Sequence, residues 1–204
     1  MLTGWLWGYE LFVIFAPLLA VLPHASSMVE DFQQHFSVQL LTRVSQTSYI
    51  WTKTIVNAVV GGISCSLPVL VAYGIGSLVY TPGAIAENSM LAGAFGQLPQ
   101  DSPLAYVFVC AGISFFFGVS FATLGLSLSI FLHNIYYVLA TPFLLYWVVN
   151  FILHNLALGV WAPSTTLGFF SMKDTTLSTM LLPLVMILLV GLSILTIQSM
   201  RKEV

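Results

Sequence analysis

Five stretches of this chain, roughly residues 5 to 25, 53 to 80, 104 to 131, 135 to 158 and 175 to 199, are apolar almost without interruption. Each reaches the about 20 residues that an α-helix needs to cross a bilayer, and none shows the alternation of a barrel strand. Water is absent at that depth, so a spanning backbone must satisfy its own hydrogen bonds, and runs of this length predict helices. No sixth run exists. Residues 81 to 103 are broken by Pro82, Pro99 and Pro103 and hold Glu87 and Asp101, while residues 159 to 174 are too short. Both read as outer loops, each with room for a short interfacial helix. The expected fold is an all-α integral membrane protein, a bundle of five transmembrane helices in one domain over residues 1 to 204.

Composition agrees. Only 6% of the 204 residues are charged and 58% are hydrophobic, where a soluble domain carries about a quarter charged. Five basic residues against seven acidic ones, with no Lys/Arg cluster, leave no footprint for nucleic acid. Cys65 and Cys110 lie in separate runs without a second sulfur or His at ligand spacing, and read as small core residues.

Short cytoplasmic loops retain Lys and Arg. Arg43 and Lys53 flank the first connection, Arg201 and Lys202 follow the last run, and only Lys173 stands on the other side. This places residues 26 to 52, the tight turn at His133 and Asn134, and the C-terminus inside. Residues 81 to 103, 159 to 174 and the N-terminus are then outside. MLTGWLWGYE lacks a basic leader and is not read as a cleavable signal; Trp5, Trp7 and Tyr9 are expected as an outer interfacial belt. Pro17, Pro68, Pro142 and Pro183 fall within runs, where neighbouring helices make prolines tolerable. The second and third runs are dense in small residues, among them Gly61, Gly62, Ser64, Gly112, Gly118 and Gly125, which permit close helix contact.

The one sizeable cytoplasmic stretch is SSMVEDFQQHFSVQLLTRVSQTSYIWTK, residues 26 to 53. Ser26 or Ser27 can cap a helix whose first turn carries Glu30 and Asp31 at the positive end of its dipole. Val29, Phe32, Phe36, Leu40 and Arg43 then recur every three or four residues, the pattern of an amphipathic helix on a membrane surface or a partner. The plainer reading is a solvated connector.

These residues resemble a family. An acidic pair (Glu30, Asp31), an apolar stretch closing in LLTRVS (Leu40 to Ser45), then Tyr49 and Lys53 at the mouth of the next run, is similar to the first cytoplasmic loop of ABC-2-type transporter permeases. The layout of the chain is also similar: a long outer loop, a tight inner turn, a proline-bearing outer connection and a basic tail. Only about 25 residues, from Glu30 to Lys53, carry motif-grade similarity.

The resemblance implies a permease subunit in a dimer with a second copy or a homologous permease, served by separate cytoplasmic ABC ATPase subunits that bind ATP and Mg. No cofactor is expected in this chain, which has no GxxxxGK[ST] loop and is not read as an enzyme. Residues 26 to 48 would be the coupling segment, with Glu30, Asp31, Phe36, Arg43 and Lys53 facing or serving the ATPase. The family's second and fifth spans line its central path. The first and fourth runs here correspond to them, which nominates Phe12, Phe15, Trp147, Asn150, Phe151 and His154. The family's first span and elbow helix have no counterpart, so the start is internal, that helix comes from another chain, or the chain has five spans. The implied cargo is a peptide, drug or lipid-like amphipathic molecule, exported across a cell membrane of bacterial type.

Three other classes compete. A serine protease needs Ser and His within reach on adjacent helices, yet Ser120 and His154 sit at depths differing by more than about 10 Å at 1.5 Å rise per residue. Ser114 matches His154 in depth, but GISF lacks the small residue that follows a nucleophile elbow's serine. An ion-coupled carrier would draw on Glu10 and on Asn150, His154 and Asn155, although no carboxylate lies mid-run in the other four and no HxxxH or ExxH spacing occurs. A non-transporting immunity or scaffold protein would use the same helices to sequester a peptide, and composition does not separate it from an exporter.

Overall fold

The computed structural model of the chain describes residues 2–34, 44–79, 95–132, 134–171 and 175–200. Among these all regular structure is helical: α1 (Leu2–Val21), α2 (Ser27–Gln33), α3 (Gln46–Val79), α4 (Leu98–Asp101), α5 (Pro103–Leu128), α6 (Ile135–Asn155), α7 (Pro163–Leu167) and α8 (Leu177–Met200). Single 3₁₀ turns at Gly159–Trp161 and Phe169–Ser171 flank α7. Helices α3, α5, α6 and α8 are each long and apolar enough to cross a membrane, and α1 contributes a shorter apolar stretch, Gly8–Val21. The chain is thus an all-helical protein of multi-pass membrane character.

Helix α5 is the centre, buried along most of its length and in contact with α1, α3, α6 and α8. Its closest neighbour is α3, and the reason is two glycines facing one another. A Cβ at Gly118 would strike the Gly61 carbonyl oxygen, and would lie 2.8 Å from the Gly61 carbonyl carbon and 2.9 Å from the Gly62 Cα. The backbones therefore meet with no side chain between them, as small-residue membrane crossings allow. Asn57 reinforces this crossing, its Nδ2 donating to the Ala122 carbonyl at 2.6 Å.

One end of the core is aromatic. Trp5 lies tilted against Tyr9 (5.3 Å) and meets Tyr73 and Tyr106 edge-on, while Tyr9 reaches Phe170 at 5.9 Å. The expected interfacial belt is not seen at these positions: Trp5 and Tyr9 are buried, at 7% and 3% exposure. Their polar ends are satisfied within the protein, Trp5 Nε1 donating to the Val69 carbonyl (3.2 Å) and the Tyr9 hydroxyl bonding that of Ser114 (3.1 Å). A belt residue would keep that end for water. The Trp7 side chain lies outside the described set. On α5, Phe117 and Phe121 stack at 4.4 Å and face Tyr146 of α6, while Phe116 is exposed.

Helix α6 ends without a glycine. Ala157 takes φ 57°, Ala157 N–H donates to the His154 carbonyl (3.2 Å) and Leu158 N–H to that of Leu153 (2.8 Å). This is the Schellman arrangement with alanine in the left-handed position that glycine usually fills. It turns the chain back. Residues 159–171 fold against the bundle, with Ala162, Pro163, Thr165, Thr166, Leu167, Phe169 and Phe170 buried. Phe169 meets Tyr106 and Phe95 at 6.0 Å each, and α7 touches α1, α5, α6 and α8. The connection read as a loop with room for a short interfacial helix carries α7 and packs on the bundle. Lys173 and Asp174 lie outside the described residues, as does His133 between α5 and α6.

Candidate functional site

Two features gather the nominated residues. The first is a cleft of about 420 Å³ between α1 and α6, lined by Val13, Ile14, Tyr146, Trp147, Asn150, Phe151, His154 and Ser164. Residues 146, 147, 150, 151 and 154 form one stripe of α6, because positions three and four apart share a helix face. Four of the six nominated path residues, Trp147, Asn150, Phe151 and His154, are therefore together. Phe12 and Phe15 are not. Phe12 packs toward Tyr9 at 5.5 Å, Phe15 is 52% exposed, and Val13 and Ile14 take the cleft wall between them. Each residue advances 100° around a helix, so the aromatics of α1 fall on either side of the face that lines the cleft.

The polar atoms of the cleft bond largely to one another. The Tyr146 hydroxyl donates to the Val13 carbonyl (3.1 Å), tying α6 to α1. Asn150 Oδ1 accepts the Ser164 backbone N–H at 2.9 Å, pinning α7 to α6, and His154 Nδ1 lies 2.8 Å from the Asn150 carbonyl. Tyr146 could have been found from the sequence, since it stands one turn before Asn150. Ser164 could not, because its place depends on the fold-back after α6. The other hydroxyls weighed for chemistry are engaged elsewhere, Ser114 with Tyr9 and Ser120 with the Phe116 carbonyl. Glu10 is exposed on α1. Among the described residues no three His, Cys, Asp or Glu side chains come together as a metal site.

The second feature is the seating of α2. Helix α3 runs 34 residues, about 51 Å at 1.5 Å per residue, so some 20 Å of it extends past a 30 Å hydrocarbon layer. Helix α2 packs on the first turns of α3. Asp31 Oδ2 sits 2.6 Å from Lys53 Nζ and accepts the Tyr49 hydroxyl proton at 2.6 Å. Lys53 also donates to the Ser27 carbonyl at 3.0 Å and lies over the Tyr49 ring at 5.6 Å. The ion pair is mostly shielded, with side chains 17% and 19% exposed. Beneath it Met28 and Val29 are buried against the bundle.

Ser26 precedes α2 but does not cap it in the expected sense; its hydroxyl donates to Glu30 Oε1 at 2.6 Å, and Glu30 remains exposed. His24, in the turn after α1, is held below the ordinary histidine range by burial first and by the nearby Lys53 charge second. Asp31 and Lys53, both nominated for a partner, are thus paired with each other. Phe36, Leu40 and Arg43 lie outside the described residues, as does the Phe32 side chain. No family model, characterised protein or solved structure matches the chain.

Proposed function

We propose that the chain is the permease subunit of an ATP-driven ABC exporter, acting as a dimer with a second copy or a homologous permease and with two cytoplasmic ATPase subunits. In this reading α1, α3, α5, α6 and α8 make five crossings of a bacterial-type cell membrane, and residues 26 to 48 face the cytoplasm. ATP and Mg belong to the ATPase; this chain supplies the path for a peptide, drug or lipid-like amphiphile. The cleft between α1 and α6 is part of that path, and residues 159–171 close its outer end.

The observation that carries the reading is the attachment of α2 to the foot of the longest helix through Asp31, Tyr49 and Lys53. A partner pressing on α2 would move α3, and α3 would carry α5, because their backbones touch at Gly61 and Gly118. That is a mechanical route by which ATP binding could favour one of two path orientations, the differential that any such switch requires. Asp31 and Lys53 are then positioning residues. Glu30 is the charge of α2 left for the partner.

Glu30→Lys tests this assignment. An exposed loop charge contributes little to folding, so the variant should insert and melt as the parent does. Co-reconstituted with its ATPase, it should lose at least tenfold of the substrate-stimulated ATP hydrolysis. Full stimulation in Glu30→Lys would return α2 to the role of a solvated connector.

A further inference from the structure

The wall of the cleft holds a buried donor without an acceptor. Asn150 is 6% exposed, and its Oδ1 is occupied by the Ser164 backbone N–H at 2.9 Å. A backbone N–H only donates, so this bond fixes which end of the amide is which, and the other end must be Nδ2. Nδ2 has no hydrogen-bond partner. The Tyr146 hydroxyl stands near enough to interact with the amide, yet out of hydrogen-bonding geometry, and its own proton goes to the Val13 carbonyl. Buried donors are almost always paired in folded proteins, and an orphan at a cavity wall invites a ligand atom.

One turn further on, His154 supplies the opposite valence. A carbonyl only accepts, so the 2.8 Å contact with the Asn150 carbonyl puts the imidazole proton on Nδ1 and leaves Nε2 of the neutral ring with a lone pair. That edge of the ring lies beside Gly159, where a Cβ would come 3.1 Å from Cδ2 and 3.2 Å from Nε2. Glycine leaves the edge uncovered. The cleft thus offers a donor and an acceptor one helical turn apart, about 5–6 Å between Cβ atoms, amid the apolar walls of Ile14, Trp147 and Phe151.

We infer that the cleft binds an amide group carried on an apolar molecule, the amide carbonyl accepting from Asn150 Nδ2 and the amide N–H donating to His154 Nε2. An ester has the carbonyl but no donor. An ionised carboxylate has two acceptors, one of which would meet the Nε2 lone pair. The inference rests on the reading of this cleft as a substrate path, and it narrows the amphiphile to one with an amide head. Two sources carry that chemistry, the backbone of an apolar peptide and a fatty-acid amide.

The test uses the full chain in phosphatidylcholine nanodiscs, without ATPase. Dodecanamide brominated at its terminal carbon is the probe, and quenching of Trp147 fluorescence is the signal, with Trp147→Phe subtracting the other tryptophans. Unlabelled dodecanamide should compete, while N,N-dimethyldodecanamide and methyl dodecanoate, which lack the N–H, should compete at least tenfold more weakly. Asn150→Asp keeps an acceptor for Ser164 and removes the donor, and should weaken the probe at least tenfold. His154→Phe, at an exposed position, should do the same even if the first variant folds poorly. Stronger competition by N-acetyl-leucyl-leucinamide than by dodecanamide assigns the site to peptide, and the reverse assigns it to acyl amide. Equal competition by amide, dimethylamide and ester, or quenching unchanged in His154→Phe, overturns the inference. Its failure with ATPase coupling intact leaves the exporter standing; probe binding without any coupled ATPase would remove the exporter and keep the site.

Discussion

Gly118→Ala should destabilise the protein by about 3 kcal/mol, the upper end of ordinary overpacking, while Gly112→Ala on the same helix should leave stability unchanged or slightly raised. The added methyl at Gly118 meets backbone, namely the Gly61 carbonyl and the Gly62 Cα at 2.9 Å, whereas at Gly112 nothing lies within 4 Å. A flexible side chain can move aside; a helix backbone cannot without moving the helix. Since Asn57 donates to the Ala122 carbonyl one turn along, separating α3 from α5 also leaves that amide unpaired in the core. Thermal unfolding in detergent, followed by circular dichroism, reads both variants. Equal melting of the two would mean that the crossing is looser than Gly61 and Gly118 require.

The second large effect is expected at the seat of α2. Asp31→Asn removes the charge that balances Lys53 and weakens the acceptor of the Tyr49 hydroxyl, with both ion-pair side chains more than four-fifths shielded. Breaking one partner of a buried pair costs about 3–5 kcal/mol, and the partial exposure here brings the expectation to about 2 kcal/mol. Lys53→Met alone leaves Asp31 uncompensated and should cost a similar amount. The double variant should lose clearly less than the sum, because the second change removes the charge that the first left stranded. A strictly additive double variant would show that the two side chains do not depend on each other. The contrast with Glu30→Lys matters for function. Reversing Glu30 and Asp31 together would confuse a lost docking charge with a lost seat, whereas Glu30 alone leaves the seat intact.

Much of this fold was legible because long apolar runs permit little besides helices. The runs beginning at residues 104, 135 and 175 appear as helices starting at Pro103, Ile135 and Leu177. The apolar run beginning at residue 53 falls short of α3, which starts at Gln46. Its first two turns are mixed in polarity, and they are helical because Tyr49, Ile50 and Lys53 have α2 and the bundle to pack against. Periodicity weighs apolar residues and gives no credit for an ion pair formed across a loop.

The turn after α6 was hidden for a different reason. Ala157 occupies a backbone conformation that the sequence would have signalled with glycine, and the buried fold-back of residues 159–171 holds it there. Trp5 and Tyr9 were misplaced because an amphipathic aromatic near a run's end suits an interface and a core equally well. At the site, the α6 stripe followed from the resemblance's choice of the fourth run together with helical spacing. The α1 side did not, since apolar residues surround that helix and nothing in its sequence marks one face.

The central claim is that α2 and the chain beyond it meet a cytoplasmic ATPase. Gln34 is exposed at the end of α2, past the seat formed by Asp31. With a photo-activatable benzoylphenylalanine in place of Gln34, irradiation of intact membranes from the native host should join this chain to one protein with a nucleotide-binding ATPase domain. Glu30→Lys in the same chain should remove the adduct. Adducts to lipid alone, or to a protein without such a domain, would contradict the account.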